Sequence, residues 1–255
     1  MSLFHRKTKK TNDTMQNGVK LITAADPKSV VSEQFRTIRT NINFMSIDKP
    51  LKTLAFTSAN VSEGKSTVTA NTAVVIAQNG QKTLLVDADL RRPTVKKTFN
   101  VNGYQGLTNI LSSNQQSVDI SRIIQPSGIH NLDVLPSGPT PPNPAELLGS
   151  QRMQAFLEAV KDIYDMVILD VPPMLEVTDT QILSNSLDAM ILVVSQGSTQ
   201  KMAARRSVEL LKMAHANLLG YVMNDVDGRN AAGYGYGYGY GYGYGYGYGY
   251  DEDDK

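Results

Sequence analysis

Short apolar runs alternate with helical patterns from residue 26 to about residue 228, and this alternation predicts an α/β domain. Because the runs are continuously apolar, we expect their strands to form a mostly parallel sheet with helices on both faces. Strands are predicted at residues 53–57, 82–87, 132–135, 166–170, 189–194 and 219–224, and helices at 27–45, 65–78, 144–164, 179–184 and 200–215.

Composition divides the chain into three zones. Residues 1–25 are polar and basic and show no periodicity, so we predict a flexible basic arm before a domain at 26–232. Residues 233–250 alternate Gly and Tyr without interruption. No core can be built from that alternation, so 233–255 is predicted to be a disordered tail. A flexible chain of roughly 20 residues spans about 25 Å, enough to reach a neighbouring molecule.

A phosphate-binding motif follows the first predicted strand and opens the second helix. The segment reads Ala59-Asn60-Val61-Ser62-Glu63-Gly64-Lys65-Ser66-Thr67, and it fits the P-loop pattern G-x-x-x-x-G-K-S/T except that Ala59 replaces the first glycine. The amides of such a loop wrap phosphates, the lysine reaches the β- and γ-phosphates, and the hydroxyl ligates Mg²⁺. The predicted nucleotide-binding residues here are Ser62, Glu63, Gly64, Lys65, Ser66 and Thr67.

Aspartates end two further predicted strands. Asp87 and Asp89 follow the second strand, and Asp170 ends a later one before a Pro-Pro pair. Ligands of parallel α/β sheets lie beyond the carboxyl ends of strands, so Asp89 and Asp170 could hold Mg²⁺ and Asp87 could accept a proton from an attacking hydroxyl. In isolation, Asp87 and Asp89 are better explained as caps of the next turn. Three strand-end motifs in order within one α/β pattern favour a nucleotide site.

Composition excludes several other chemistries. The chain has no Cys, which excludes a disulfide scaffold, a cysteine zinc site and a thiol nucleophile. The net charge of +1 argues against a nucleic-acid partner. No run approaches the roughly 18 apolar residues of a membrane span, and no secretory signal is recognised. The small net charge hides an asymmetry, because Asp251-Glu252-Asp253-Asp254-Lys255 sums to −3 and leaves +4 on the rest.

These motifs together closely resemble the bacterial tyrosine kinase (BY-kinase) family of capsule and exopolysaccharide synthesis. The resemblance covers about residues 25–228 and the tail. It rests on the P-loop, on residues 86–93, similar to the family's Walker A′ motif, and on residues 168–173, similar to its Walker B motif. Residues 106–111, 135–139 and 142–148 resemble its intervening loops. Family P-loops usually read Pro-Gly-Glu-Gly-Lys-Ser, whereas Val61-Ser62 stand in the first two places here.

The resemblance implies an autokinase that uses ATP and Mg²⁺ on a P-loop fold, phosphorylates its own tyrosine cluster in trans and regulates polysaccharide synthesis. It implies catalytic roles for Lys65, Asp87 and Asp89, Mg²⁺ ligation by Ser66, Asp89 and Asp170, and a nucleotide contact from Asn224, which a turn-forming asparagine explains nearly as well. The implied phosphorylation sites are Tyr234, Tyr236, Tyr238, Tyr240, Tyr242, Tyr244, Tyr246, Tyr248 and Tyr250.

The resemblance also implies partners. Glu33, Arg36 and Arg39 match the family's Glu-x-x-Arg-x-x-Arg motif for assembly of a homo-oligomeric ring, an octamer in the family. Spacing of three places them on one helix face, where a solvated stripe with internal pairing is the alternative. A transmembrane polysaccharide co-polymerase adaptor would activate the cytoplasmic kinase and recruit it to the inner face of the membrane, and a cognate tyrosine phosphatase would oppose it.

Two other functions share parts of this pattern. A Min/Par-type ATPase switch would have the same fold, but those proteins carry Lys-Gly-Gly-x-Gly-Lys, and Asn60 stands here in place of the signature lysine. Such a switch also has no use for the tail tyrosines. A scaffold whose tail drives phase separation is the third hypothesis, and the intact P-loop with its acidic motifs argues against it.

Overall fold

The computed structural model describes residues 14–47, 50–113 and 119–226. The chain divides into two units, Met1–Asp225 and Val226–Lys255. The predicted tail and its tyrosines lie outside the described residues, as does the start of the predicted basic arm.

One seven-stranded sheet forms the centre of the described part of the first unit. Its order is β3-β4-β2-β5-β1-β6-β7, and every neighbouring pair is parallel except β3 with β4. This confirms the predicted fold class, and all six predicted strands are present to within one residue at each end. The strands are β1 (Thr53–Ser58), β2 (Thr83–Asp87), β3 (Gln125–Ile129), β4 (Leu132–Leu135), β5 (Met166–Asp170), β6 (Ala189–Ser195) and β7 (Leu218–Asn224).

The edge strand β3 was not predicted. It contains Pro126 and Gly128, two residues that are depleted in strands, and its burial is only partial. A proline is tolerated at a sheet edge because its missing N–H removes no bond from a central ladder.

Helices cover both faces of the sheet. The long predicted helix at 144–164 is wrong as one element, because Gly149 and Ser150 divide it and the Ser150 hydroxyl caps the second part by accepting from Met153 N at 3.2 Å. The helices are α1 (Thr14–Asn17), α2 (Ile22–Ala25), α3 (Val30–Met45), α4 (Lys65–Gln78), α5 (Val95–Thr98), α6 (Leu107–Ser112), α7 (Pro144–Leu148), α8 (Gln151–Lys161), α9 (Asp179–Ser184) and α10 (Lys201–Met213).

Successive strand residues point to opposite faces and build two apolar clusters. Leu54 and Phe56 of β1 pack with α3 and α4, whereas Ala55 packs in the cluster that contains α8 and α10. Helix α4 is buried on nearly every side, and its sequence is accordingly rich in Ala, Val and Thr, without a separate charged face. The P-loop at its start is therefore carried by one of the most deeply buried elements of the chain.

Residues 14–25 depart from the predicted flexible arm. They form α1 and α2, and Thr23 is fully buried, with its N–H and hydroxyl donating to Asn71 Oδ1 at 3.1 and 2.9 Å. Helices of one turn are too short to produce a periodic pattern. The segment is held by bonds to α4 and α5 that the local sequence does not reveal. Among the described residues, no helix is long and apolar enough to cross a membrane.

Asp188 joins the start of β6 to the start of β1. Its Oδ2 accepts from the N–H groups of Lys52 at 2.9 Å and Thr53 at 2.8 Å. Partial burial works to raise the pKa of Asp188, but these N–H groups and Lys161 outweigh it and hold the pKa below its ordinary value.

Candidate active site

Sheet topology gathers the predicted site residues. Strands β2, β5 and β1 are neighbours, and the register pairs Asp87 with Asp170 and Phe56 with Asp170. The loops that leave these strands therefore meet at one carboxyl edge, as the rule for open α/β sheets requires.

The P-loop is held in shape by Glu63. This side chain is 2% exposed, and its carboxylate accepts from Ala59 N at 2.9 Å, Asn60 N at 3.1 Å and Asn60 Nδ2 at 2.9 Å. Ser62 adopts a φ of 61°, a left-handed conformation that costs a non-glycine residue about 1 to 2 kcal/mol. Three hydrogen bonds to one buried carboxylate offset that cost, since bonds to charged groups are the strong ones.

Gly64 and Asn224 meet at the next position of the loop. Gly64 has a φ of 89°, and a Cβ added to it would lie 2.0 Å from Asn224 Nδ2. Asn224, at the end of β7, donates to the Glu63 carbonyl at 3.2 Å. The structure thus brings the predicted Asn224 to the P-loop from the far end of the domain sequence, and only a glycine fits between them.

Lys65 lies between two buried carboxylates. Its Nζ is 2.9 Å from Asp89 Oδ2, 3.1 Å from Asp170 Oδ1 and 3.2 Å from Ser66 Oγ. Burial by itself lowers the pKa of Lys65, but the charges of Asp170 and Asp89 more than reverse this and raise the pKa above its ordinary value. Lys65 is therefore a permanent cation at the mouth of the P-loop.

Asp87 is fully buried beside this cluster. Its Oδ2 accepts from the N–H groups of Thr94 and Val95 at 2.9 Å each, and its Oδ1 has no hydrogen-bond partner within the described chain. Burial, reinforced by the nearby charge of Asp170, raises the pKa of Asp87 well above its ordinary value. The Oδ1 atom, which no group of the described chain bonds, can accept a proton from an incoming hydroxyl.

The charges of this cluster fit a divalent cation. Asp87, Asp89 and Asp170 are each at most 1% exposed, and the basic side chain of Lys65 ion-pairs with Asp89 and Asp170. Buried negative charge in excess of positive charge is costly and is commonly offset by a metal ion. Across the described ranges no group of three or more acidic or histidine side chains could hold a metal by itself. Mg²⁺ usually binds one or two carboxylates and takes its other ligands from phosphates and water.

Two contacts of the site were not predicted from the sequence. Arg91 Nε and Nη2 donate to Asp179 Oδ2 and Oδ1 at 2.9 and 3.1 Å, and Asp179 is fully buried. Thr94 Oγ1 donates to Asp170 Oδ2 at 3.5 Å. The sequence contains only a weak indication of the pair between Arg91 and Asp179. An aspartate that begins a helix is normally interpreted as a surface residue favoured by the helix dipole.

The predicted assembly residues lie on α3, apart from this cluster. Arg36 pairs with Glu33 and donates from Nη2 to the Pro27 carbonyl at 2.6 Å, while Arg39 Nη1 donates to the Val75 carbonyl at 3.1 Å. The internal pairing expected of a charged stripe is present, and the Glu33 side chain remains 66% exposed.

A mostly parallel sheet with a P-loop after one strand and aspartates at the ends of two others defines the class of this protein. It is an α/β nucleotide-binding fold. Residues 51–213 match the family described as AAA domain. The chain is 48% identical over 216 residues to tyrosine-protein kinase YwqD of Bacillus subtilis, covering 85% of this chain and 89% of that protein. It is 32% identical to the solved kinase domain of the Escherichia coli tyrosine kinase ETK, covering 92% of this chain and 86% of that one with a TM-score of 0.78.

The chain therefore belongs to the bacterial tyrosine-protein kinases. The septum site-determining protein MinD of Pyrococcus horikoshii, solved with Mg-ADP, is 22% identical, with a TM-score of 0.57 over 68% of this chain and 69% of that one. At that identity the likeness establishes a common fold alone, so the Min-type alternative shares the architecture without the closer relationship.

Proposed function

We propose that this kinase transfers the γ-phosphoryl group of ATP to its own C-terminal tyrosines, Tyr234 to Tyr250, between copies of the chain. The observation that carries the proposal is Asp87, a buried carboxylate with an oxygen free of hydrogen bonds within the described residues, beside Lys65 and its two carboxylate partners. A chain with nine near-identical phenols in its tail supplies the matching acceptor.

Transfer to tyrosine needs a base and a cation. A free phenol has a pKa of about 10, so its hydroxyl is a poor nucleophile at neutral pH. Asp87 takes the proton while the phenol oxygen forms a bond to the γ-phosphorus and the bond from that phosphorus to the ADP oxygen breaks. Lys65 and the loop amides balance the charge of the phosphates, a task for which the raised pKa of Lys65 keeps it protonated.

Ser66, Asp89 and Asp170 would hold Mg²⁺, which neutralises charge on the β- and γ-phosphates when bound. Lys65 contacts all three of these residues, so the cation and the proposed metal ligands lie together at the P-loop. Asn224 is proposed to contact the nucleotide base while it braces the Glu63 carbonyl.

The proposal extends to assembly and control. Glu33, Arg36 and Arg39 would join copies into an octameric ring, a transmembrane polysaccharide co-polymerase adaptor would recruit the cytoplasmic kinase to the membrane and activate it, and a tyrosine phosphatase would reset it. The output would be control of capsular or exopolysaccharide synthesis.

Phosphorylation should loosen such a ring. Each phosphotyrosine adds about −1.5 to −2 charges, so nine sites would add roughly −14 to −18 per subunit. Native mass measurement of both states would test this, and equal oligomer size before and after phosphorylation would count against it.

The direct test is mass spectrometry of the full chain after incubation with ATP and Mg²⁺. We expect additions of about 80 Da each, one per phosphate, confined to residues 233–250. They should be absent from Lys65→Met and from a chain ending at Ala232, and present in the matched control Lys212→Met, an exposed lysine on α10. ATP hydrolysis without tail phosphate, even with an adaptor peptide added, would instead support an ATPase switch.

A further inference from the structure

A surface of exposed cations lies directly beside the proposed base. Arg92, Lys96 and Lys97 are exposed on and just before α5, and none of them forms an ion pair in the part of the chain that the structure describes. We call these three residues the α5 patch. Neighbouring Arg91 is not part of it, because its guanidinium is committed to Asp179.

The backbone of the patch is bonded to the catalytic carboxylates. Arg92 N–H donates to Asp89 Oδ1 at 2.9 Å, and Val95 N–H, one residue before Lys96, donates to Asp87 Oδ2 at 2.9 Å. A peptide held on the patch is therefore within a few residues' reach of the proposed base.

The patch also has an aromatic neighbour. Lys96 Nζ lies 5.7 Å from the ring centroid of Tyr104, whose side chain is 82% exposed. Cations beside an exposed ring suit a ligand chain that carries both carboxylates and tyrosines.

The sequence outside the described residues contains such a ligand. The chain continues from residue 227 to 255, and its densest run of acids, Asp251-Glu252-Asp253-Asp254, follows immediately after Tyr250. The last five residues carry −3, whereas the rest of the chain carries +4. Charge complementarity thus pairs the acidic end with a basic surface whose side chains form no ion pair with the described residues.

We infer that the α5 patch binds the acidic end of a second copy, residues 251–254, and holds that copy's tail beside the active site. This inference rests on the proposed function and deepens it. The Gly-Tyr repeat offers no side-chain pattern by which one tyrosine could be selected, so an anchor outside the repeat supplies the recognition. With its end anchored, the flexible repeat presents successive phenols at a raised local concentration.

The test uses two full-length proteins with separated roles. The acceptor is Lys65→Met, which keeps its tail but should not transfer phosphate. The enzyme has its nine tail tyrosines replaced by Phe and its own acidic end neutralised, so that only the acceptor offers acids. Trans-phosphorylation then yields KM for the acceptor and kcat for the enzyme.

Two changes should have the same effect. The first neutralises the acceptor end (Asp251→Asn, Glu252→Gln, Asp253→Asn, Asp254→Asn), and the second reverses the patch of the enzyme (Lys96→Glu, Lys97→Glu). Each is expected to raise KM about three- to tenfold with kcat unchanged, the range for a few exposed ion pairs, and high salt should erase the difference. Reversing Lys201 and Lys212, also exposed and without ion pairs in the described chain, is the matched control and should leave KM unaltered.

Charge exchange gives the decisive arm. An acceptor whose four acids at 251–254 are replaced by Lys should have a low KM with the patch-reversed enzyme. The same acceptor should have a high KM with the enzyme that keeps its original patch. An unchanged KM after neutralisation of the acceptor, or no recovery on exchange, would overturn the inference. Binding of phosphatidylglycerol vesicles that depends on Lys96 and Lys97, with KM insensitive to the acceptor's acids, would assign the patch to a lipid surface and also overturn it.

A separate readout keeps this inference distinct from the proposed function. A fluorescent peptide of residues 248–255 should bind the full chain and lose affinity when its acids are neutralised or the patch is reversed. If no acceptor is ever phosphorylated, the proposed function fails, and this anisotropy measurement still decides whether the patch binds the acidic end. Equal affinity for the acidic and neutralised peptides would refute the patch.

Discussion

Substitution of Gly64 by alanine should disturb the P-loop in two separable ways. The φ of 89° places any side chain in the left-handed region, at a cost of about 1 to 2 kcal/mol. The new Cβ would also lie 2.0 Å from Asn224 Nδ2, so the amide must move and lose its 3.2 Å bond to the Glu63 carbonyl, worth about 0.5 to 1.5 kcal/mol. We therefore expect Gly64→Ala to lower the free energy of unfolding by about 1.5 to 3.5 kcal/mol, the sum of the two costs.

A double-mutant cycle isolates the contact with Asn224. Asn224→Ala alone should cost about 0.5 to 1.5 kcal/mol, and in its background Gly64→Ala should retain only the backbone cost. Equilibrium urea unfolding of the four proteins, without nucleotide, measures each value and should give a coupling of about 0.5 to 1.5 kcal/mol, the value of the lost bond.

Gly80→Ala is the matched control. Gly80 has a φ of 92° and nothing within 4 Å of an added Cβ, so it carries the backbone cost without a clash. Its effect should be about 1 to 2 kcal/mol in either background. If Gly64→Ala and Asn224→Ala add to within about 0.5 kcal/mol, the Asn224 amide does not fill the space beside Gly64 and the reasoning is refuted.

Three further predictions concern charge. Lys65→Met leaves carboxylates buried without their cation and should lower the free energy of unfolding by about 3 to 5 kcal/mol, with partial recovery on adding Asp170→Asn; unchanged thermal melts would contradict this. Arg91→Ala should destabilise the protein more than Asp179→Ala does. Loss of Arg91 leaves the fully buried Asp179 carboxylate without a cation, whereas loss of Asp179 leaves an arginine that can turn to solvent. Equal urea midpoints for the two variants would contradict this. Asp188→Asn should cost about 1 kcal/mol at pH 7. The folded pKa of Asp188 lies below its ordinary value, so this difference is complete above about pH 4 and should vanish as pH falls through the lowered pKa; a difference that persists in acid would exclude the charge as its cause.

The sequence predicted the central strands well and the margins of the domain poorly. β4 and β5 were placed correctly because continuous apolar runs bounded by turn residues have few alternatives. The edge strand β3 was missed because it contains Pro126 and Gly128, although its partner β4 follows directly in the sequence. The short helices α1 and α2 were missed because the bonds that hold this segment reach residues distant in sequence. The break at Gly149 was overlooked because the apolar pattern of α7 and α8 nearly continues across it.

Within the site, predictability followed the sequence distance of the contacts. The carboxylate of Glu63 bonds to residues no more than four positions away, so the P-loop motif carries its own geometry. Arg91 and Asp179 are 88 positions apart in the sequence, and no local pattern predicts that they pair. The same holds for Asn224, whose bond to Glu63 spans 161 positions.

The sequence by itself determined the class of site, because a P-loop and strand-end aspartates are local patterns whose backbone shape is set by neighbouring residues. The tertiary structure alone decided what surrounds that loop. The order β2-β5-β1 sets Asp87 beside Asp170, returns β7 to Gly64 and leaves the α5 patch exposed. Strand order follows from how whole faces of helices and strands pack, and that energy is summed over residues far apart in the chain.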